Sequence, residues 1–286
     1  MVFDSSRGQT ILFGGVNADG YFHDTWAWNG GHWRLLTQTG PSGRSEPSMA
    51  YDSRRHRIVL FGGYVQGVFA SDTWEWDGKG WTQKSGASPS ARVGCACAYD
   101  PRHRKVILFG GTTQSNTAGS TGETWGWNGS RWTLLTSVGP DPRMYAHMAY
   151  DSKRRQMILF GGSTDSGKLL GDTWTWNGHV WKRMPFGDAQ PRAEQAMVFH
   201  GGLKEVVMFG GVGTPEPAPD SGKSLTDYSA WNGTRWVSLT TTTEPPACRA
   251  PMMAYDSKCR RLTLFGGEGH NRTRDFLRET WVSTSR

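Results

Sequence analysis

Residues 97 to 132, CAYDPRHRKVILFGGTTQSNTAGSTGETWGWNGSRW, contain the sequence features that decide the fold. An apolar run ends in an aromatic residue, a basic turn follows, and a second apolar run ends in Phe-Gly-Gly. After a variable loop comes Thr-Trp-x-Trp-Asn-Gly, and then a further Trp. The tripeptide Phe-Gly-Gly begins at six positions along the chain: Phe13, Phe61, Phe109, Phe160, Phe209 and Phe265. Spacings of 48 to 56 residues between them make internal repetition the first fact to explain.

Each repeat predicts four short strands, which we name A to D. Strand A ends in the aromatic residue, strand B precedes the Gly pair, strand C carries Trp-x-Trp, and strand D begins at the further Trp. Such a sheet cannot bury both faces alone, whereas radial stacking of sheets in a β-propeller buries them all. We therefore predict an all-β fold, a six-bladed β-propeller in a single domain with an incomplete last blade. The predicted blades cover approximately residues 1–39, 40–87, 88–138, 139–187, 188–243 and 244–286.

The repeated segments resemble a known family. The Gly pair that closes a strand, the aromatic-rich strand and the spaced Trp are similar to the kelch repeat. The Asp-Thr-Trp-x-Trp-Asn-Gly version, as in residues 24–30, resembles bacterial kelch proteins and galactose-oxidase-like propellers. Six copies in register cover nearly the whole chain, so the resemblance is specific for the fold. It is weak for function, because propellers include enzymes, binding proteins and scaffolds.

Composition excludes several classes of protein. The chain has 38 Gly and 15 Trp in 286 residues. So much Gly argues against a helical protein, and so many aromatic residues argue against a disordered one. All the Trp residues fall on repeat positions, which favours packing between blades over a sugar-stacking site. No apolar run approaches the ~20 residues of a transmembrane helix. The four cysteines lack metal-ligand spacing, so we expect free thiols and neither a metal nor a cofactor. They are Cys95, Cys97, Cys248 and Cys259.

Both ends depart from the repeat. Strand A of the first repeat begins at Met1, and the last repeat stops at Arg286 without an Asn-Gly turn or a strand D. Propellers commonly close by combining strands from both termini in one blade. We therefore expect a preceding N-terminal segment that completes the last blade. Residues 1–7 carry no secretory signal, but an export signal in such a segment would be compatible with the sequence, which leaves the compartment open. We expect a monomer.

The net charge of +7 is concentrated at one end of the predicted blades. The A–B turns hold 14 basic and 6 acidic residues. One interpretation is a surface that contacts a polyanion such as nucleic acid, an acidic glycan or a lipid surface. The other, which we favour, is a set of solvated turns whose Arg and Lys pair with the Asp of each turn, since no aromatic residue is interleaved to stack bases. The turns are residues 4–7, 52–57, 100–105, 151–155, 200–205 and 256–261.

The opposite end, formed by B–C loops and D–A connections, is the candidate ligand site. The residues that follow a lead-in Arg differ in every repeat although the adjoining strand does not, and the loops vary from 8 to 15 residues. The lead-in residues are Arg44, Arg92, Arg143, Arg192 and Arg249, which we expect to hydrogen-bond carbonyl groups between blades. The predicted site residues are Glu46, Tyr145 and Glu194, then His147 on strand A, and His23, Tyr228, His270, Asn271 and Arg272 from the loops.

The sequence favours a binding or interaction module that recognises a peptide, glycan or small ligand at this loop end. The alternative is a propeller enzyme without an obvious cofactor, acting there on a carbohydrate or small metabolite. Glu46 and Glu194 are the side chains that could form its acid–base pair, but they come from opposed blades and we expect them to be too far apart without a bound substrate. An enzyme should bring two or more titratable side chains within ~3–5 Å of one point, whereas a binding protein should show dispersed polar groups.

Overall fold

The apolar run before each Phe-Gly-Gly is a buried β-strand in the computed structural model. Leu60, Leu108 and Leu159, each from one of these runs, are 0% exposed because sheets cover both faces of the strand. The structure describes residues 1–115, 118–185, 187–213, 224–240, 245–269 and 277–283. All regular secondary structure in these ranges is β-strand, which confirms the all-β prediction. None of the described segments forms an apolar helix of membrane-spanning length.

The chain forms two compact units, and the first comprises Met1–Met144 and Asp256–Lys258. Three four-stranded antiparallel sheets build it in the predicted A–B–C–D order: β1–β2–β3–β4, β5–β6–β9–β10 and β12–β13–β16–β17. A hairpin, β7–β8, and a small sheet, β11–β14–β15, lie in its loops. The strands are β1 Val2–Asp4, β2 Gln9–Asn17, β3 Gly20–Trp28, β4 Trp33–Thr37, β5 Ser48–Asp52, β6 Arg57–Phe61, β7 Tyr64–Val65, β8 Val68–Phe69, β9 Thr73–Trp76, β10 Trp81–Lys84, β11 Arg92–Val93, β12 Ala96–Asp100, β13 Lys105–Phe109, β14 Thr112–Ser115, β15 Ala118–Ser120, β16 Thr124–Trp127 and β17 Trp132–Thr136.

The second unit comprises Tyr145–Tyr255 and Cys259–Arg286. It contains two four-stranded sheets, β18–β19–β20–β21 and β23–β24–β26–β27, and a sheet β29–β30–β32 with three strands in the described residues. Two-stranded pairs β22–β25 and β28–β31 lie in its loops. The strands are β18 His147–Asp151, β19 Gln156–Phe160, β20 Thr173–Trp176, β21 Trp181–Arg183, β22 Arg192–Ala193, β23 Ala196–His200, β24 Glu205–Phe209, β25 Val212–Gly213, β26 Tyr228–Trp231, β27 Trp236–Leu239, β28 Cys248–Arg249, β29 Met252–Asp256, β30 Arg261–Phe265, β31 Glu268–Gly269 and β32 Thr280–Val282.

Tryptophans join neighbouring sheets, as the repeat pattern predicted. Trp231 is fully buried and packs with Ile158 and Val206, which belong to two different sheets of the second unit. The Trp that begins strand D donates from its indole nitrogen to the hydroxyl oxygen of a Thr in the preceding repeat, always at 2.9 Å. These pairs are Trp81 with Thr25, Trp132 with Thr73, and Trp236 with Thr173. Each pair therefore fixes the spacing of two sheets by packing and by a directional bond.

A buried arginine precedes strand A in four repeats. Arg44 donates to both carboxylate oxygens of Asp72, at 2.6 and 2.9 Å, and to the carbonyl oxygen of Gly62 at 2.9 Å. It therefore ties the lead-in segment to the end of one strand B and to the acid before the next strand C. A paired, fully bonded guanidinium is stable here, whereas removing one partner would leave a buried charge. The four residues, each at most 2% exposed, are Arg44, Arg92, Arg143 and Arg192.

The sequence also predicted Arg249 as a fifth member of this set, and that prediction is wrong. The buried arginines stand 17 residues before the Phe of Phe-Gly-Gly, and Cys248 holds that position before Phe265. Cys248 is 1% exposed, whereas the side chain of Arg249 is 46% exposed. A small void beside Cys248 is lined by Leu264, Trp281 and Glu279. Spacing from strand B, rather than the type of residue, determines which side chain enters the core.

We expect the Asp72 carboxylate to contribute stability that acid removes. Burial opposes its charge, but hydrogen bonds from Arg44 and Trp74 outweigh burial and hold the pKa of Asp72 below its ordinary 3.8. The unfolded chain therefore takes up this proton at higher pH than the folded chain, so the contribution is complete above pH 3.8 and lost as pH falls through the folded-state pKa. Asp72→Asn should lower the free energy of unfolding at neutral pH by about 3 kcal/mol and make its decline in acid shallower.

Urea denaturation at a series of pH values measures both effects. Asp19→Asn is the control, because Asp19 is exposed and outside the arginine network. An acid decline as steep in Asp72→Asn as in the parent chain would contradict the assignment.

We expect Cys248→Arg to stabilise the last repeat. The new guanidinium would occupy the position that Arg192 holds one repeat earlier, with Glu279 in place of Asp227. A hydrogen-bonded charge pair of this kind should add about 1–3 kcal/mol to the free energy of unfolding, measured by chemical denaturation. Cys248→Met controls for filling the void without a charge and should gain less. Lower stability of the arginine variant than of the methionine variant would show that the repeat no longer accepts the clamp.

Candidate functional site

One residue in each lead-in segment has a left-handed backbone. It lies 15 residues before the Phe of Phe-Gly-Gly, and its φ ranges from 49° to 66°. Four of the five residues carry a side chain, although this conformation costs a non-glycine residue roughly 1–2 kcal/mol. The five are Glu46, Gly94, Tyr145, Glu194 and Ala250. Three of these are the leading sequence-predicted site residues.

Backbone contacts with the Gly pair hold this conformation, also at Ala250, where Cys248 replaces the buried arginine. The N–H of Gly15 donates to the carbonyl oxygen of Arg44 at 2.9 Å, and equivalent bonds recur in the other repeats. The first Gly of the pair also lies close to a lead-in carbonyl, since a Cβ on Gly62 would lie 2.8 Å from the carbonyl oxygen of Arg92. The lead-in chain is thus held against the end of strand B, and two residues later it turns through positive φ. Each left-handed residue therefore lies at the B–C loop end of its sheet.

In the second unit, the left-handed residues of successive repeats contact one another. The N–H of Glu194 donates to the carbonyl oxygen of Tyr145, and the N–H of Ala250 donates to that of Glu194, both at 3.0 Å. These bonds bring three variable positions into one continuous strip. The structure thus joins Tyr145 and Glu194 at backbone level, and their role in ligand binding stays a prediction.

Arg249 belongs to this strip, and the sequence reasoning missed that role. It donates to Glu268 at 2.7 Å, and its guanidinium lies 3.9 Å from the carboxylate of Glu194. Partial burial opposes its charge, but the hydrogen bond to Glu268 and the nearby charges of Glu194 and Glu268 outweigh burial and raise the pKa of Arg249. The constant spacing of 17 residues would have shown that this arginine is displaced from the core.

In the first unit, Glu46 is exposed and follows a short backbone bridge. Ser45 and Tyr64 exchange two hydrogen bonds, of 3.1 and 2.9 Å, through their backbone groups. The charge of Glu46 acts on the thiol of Cys95, but burial is the main cause that raises the pKa of this thiol to about 12. The thiol is therefore neutral at physiological pH and unsuited to nucleophilic chemistry.

The remaining predicted residues have different environments. His147 begins β18 and is half-buried, and burial lowers its pKa to about 4, so it is neutral at physiological pH. His23 is exposed on β3. Tyr228 is half-buried and packs against the hydrophobic clusters around β24 and β30, where burial raises its pKa. The other three predicted residues, His270, Asn271 and Arg272, lie outside the described residues.

At the opposite end of the sheets, formed by the A–B turns, several basic side chains pair with acidic groups of the same turn. Turn carboxylates accept hydrogen bonds from Arg7, Arg55, His103 and Arg154 at 2.6–2.8 Å. Arg7 and Arg154 also donate to the backbone carbonyls of Asp77 and Asn232, in the C–D turn of the next repeat. The expected pairing of arginine with a turn aspartate is therefore confirmed in three turns, whereas in the fourth the aspartate pairs with a histidine. Binding of a polyanion by the other, exposed basic residues stays a prediction.

Metal-binding side chains do not cluster within the described ranges, where no three His, Cys, Asp or Glu residues come together. Glu194 and Glu268 do converge, but on a guanidinium. An arrangement of this kind suits electrostatic recognition of a ligand more than proton transfer.

The family comparison agrees with this architecture. The family model described as the KLHDC2/KLHL20/DRC7 Kelch-repeats domain matches residues 102–283, well over half of the chain. No individual curated protein matches the sequence.

We expect the left-handed conformation at Glu46 to make a Gly variant more stable than an Ala variant, the reverse of the usual order of stability. Both Glu46→Ala and Glu46→Gly remove the carboxylate, so their difference isolates the backbone term. Because φ is 54°, the Gly variant should be the more stable by about 1 kcal/mol in chemical denaturation. Greater stability of the Ala variant would mean that residue 46 does not hold this conformation in solution.

Proposed function

This chain belongs to the kelch-repeat family, and we propose that it is an interaction module that binds a peptide or glycan at the B–C loop end of its sheets. Kelch-repeat domains generally mediate protein interactions. We further propose that the six repeats form the six blades of one propeller domain. The residues assigned to ligand contact are Glu46, Tyr145 and Glu194, with Arg249 added from the structure.

The observation that carries this proposal is that acidic, aromatic and small side chains share one left-handed position, which in the second unit also links successive repeats by backbone hydrogen bonds. Glycine would adopt the left-handed turn without strain, and Gly94 shows that the fold accepts it there. The other four repeats have Glu, Tyr, Glu and Ala at this position. Non-glycine residues in strained conformations often mark functional positions, because the surrounding structure stabilises them for another purpose.

The chemistry of these side chains supports recognition rather than catalysis. Glu46 offers an exposed carboxylate, Tyr145 an aromatic ring with a hydroxyl group, and Arg249 a half-exposed guanidinium held by two carboxylates. Such a guanidinium is oriented before the ligand arrives, so less entropy is lost on binding. Loops on a rigid β scaffold are also where binding residues usually lie.

A peptide library displayed on phage, selected against the purified chain, tests the proposal. Glu46→Ala/Glu194→Ala should fold normally and bind the selected peptides at least about tenfold more weakly, measured by isothermal titration calorimetry. Glu205→Ala is the matched control, because Glu205 lies at the A–B turn end and should leave binding unchanged. Selected peptides that bind the double variant as tightly as the parent chain would place the binding surface elsewhere.

A further inference from the structure

Aromatic rings from two loop hairpins of the first unit form a cluster that the repeat pattern does not require. The ring of Tyr21, on β3, packs against that of Tyr64, on β7, at 5.8 Å between centroids. Tyr64 in turn packs against Phe69, on β8, at 5.9 Å. Both contacts are edge to face and all three rings are half-buried. We name Tyr21, Tyr64 and Phe69 the aromatic platform. Val16, opposite Tyr21 in the hairpin, is 36% exposed and extends its apolar surface.

Backbone hydrogen bonds place Glu46 beside this platform. The lead-in segment passes between the two hairpins, because Arg44 donates from its backbone to Phe22 at 3.1 Å and Ser45 bridges to Tyr64. Glu46 follows directly and is exposed. A carboxylate and a group of aromatic rings therefore adjoin at the same loop end.

The loops of the first unit carry no exposed Lys or Arg. Across residues 14–24, 38–47, 62–72, 86–95, 110–123 and 138–144, the basic residues are Arg44, Arg92 and Arg143, all at most 2% exposed. The same segments contain six acidic residues: Asp19, Asp24, Glu46, Asp72, Glu123 and Asp141. Asp72 and Glu123 pair with buried arginines, and the six acidic residues outnumber the three arginines of these loops in a chain whose net charge is +7.

The loops of the second unit differ in this respect. They present Lys168 and Arg249 to solvent, together with acidic residues. The acidic character is therefore a property of the first unit's loops and does not follow from the fold.

We propose that the aromatic platform and Glu46 form a docking surface for a basic peptide segment of a partner protein. Lys and Arg side chains are attracted to the faces of aromatic rings and pair with carboxylates, and both groups adjoin here in loops where acidic residues outnumber Lys and Arg. This inference rests on the proposed function, which it deepens by naming the class of partner. An acidic peptide would be repelled by the carboxylates of Glu46 and Asp19. A neutral glycan would use the rings but not the charge.

Fluorescence anisotropy with three blocked peptides of equal length tests the inference: alternating Arg-Gly, Glu-Gly and Gln-Gly. The Arg-Gly peptide should bind most tightly and weaken as salt is added, because salt screens exposed charges. Since the whole chain is basic, unspecific attraction does not favour this peptide. Glu46→Gln and Tyr64→Leu should each weaken binding by about fivefold or more, whereas Tyr64→Phe should not. Glu205→Gln, at the opposite end of a sheet, is the control for loss of a carboxylate and should leave binding unchanged.

The outcomes separate this inference from the proposed function. If peptides from the display selection depend on Glu46 and Glu194 but are acidic or neutral, the module stands and the basic partner is refuted. Tighter binding of Glu-Gly, or of a neutral oligosaccharide, than of Arg-Gly would also refute it. If the parent chain and Glu46→Gln bound the Arg-Gly peptide with equal affinity, the basic partner would also be refuted, even if Tyr64→Leu failed to fold. Absence of any loop-dependent peptide would contradict both proposals.

Discussion

The guanidinium buried before strand A is the interaction on which the rest of the structure depends. Arg44 has almost no contact with water, so its charge is stable only if Asp72, Gly62 and the lead-in carbonyls hold fixed positions around it. Those partners lie at the end of one strand and just before another. The clamp therefore links the end of strand B, the start of strand C and the lead-in chain, and the lead-in chain turns through positive φ two residues later. The candidate site lies directly beside this core contact in the four repeats that contain it.

Within each repeat, the residues that hold the sheets together differ from the residues that are exposed on the loops. Side chains that recur, such as the indoles bonded to threonine hydroxyls, are used in joining sheets. Side chains that vary lie on loops and on the left-handed position, where the core does not specify them. Charge follows the same division: the turns at one end are basic, and in the first unit the loops at the other end are acidic. Oppositely charged ends orient a charged partner before contact, which affects association rate and specificity more than stability.

The fold was predictable because its signals are local and repeated. The apolar run before Phe-Gly-Gly, the aromatic residue at the end of strand A and the Trp-x-Trp motif each predict a strand from a few neighbouring residues. The site was predictable only in part. Arg249 was assigned to the core by residue type, whereas its spacing from Phe265 moves it onto the surface, where it meets Glu194 and Glu268. The ring contact of Tyr21 with Tyr64 was missed, because the two lie in loops of different structure that no repeat period aligns.

The sequence by itself determined the all-β repeat architecture, the buried strands and the positions free to vary, because alternation and spacing act over a few residues. Only the tertiary structure decided which of the variable side chains meet. Those contacts depend on the direction in which each hairpin leaves its sheet and on the backbone turn at residues such as Glu46 and Glu194. Both are imposed by packing between segments far apart in the chain, so residue type alone does not encode them.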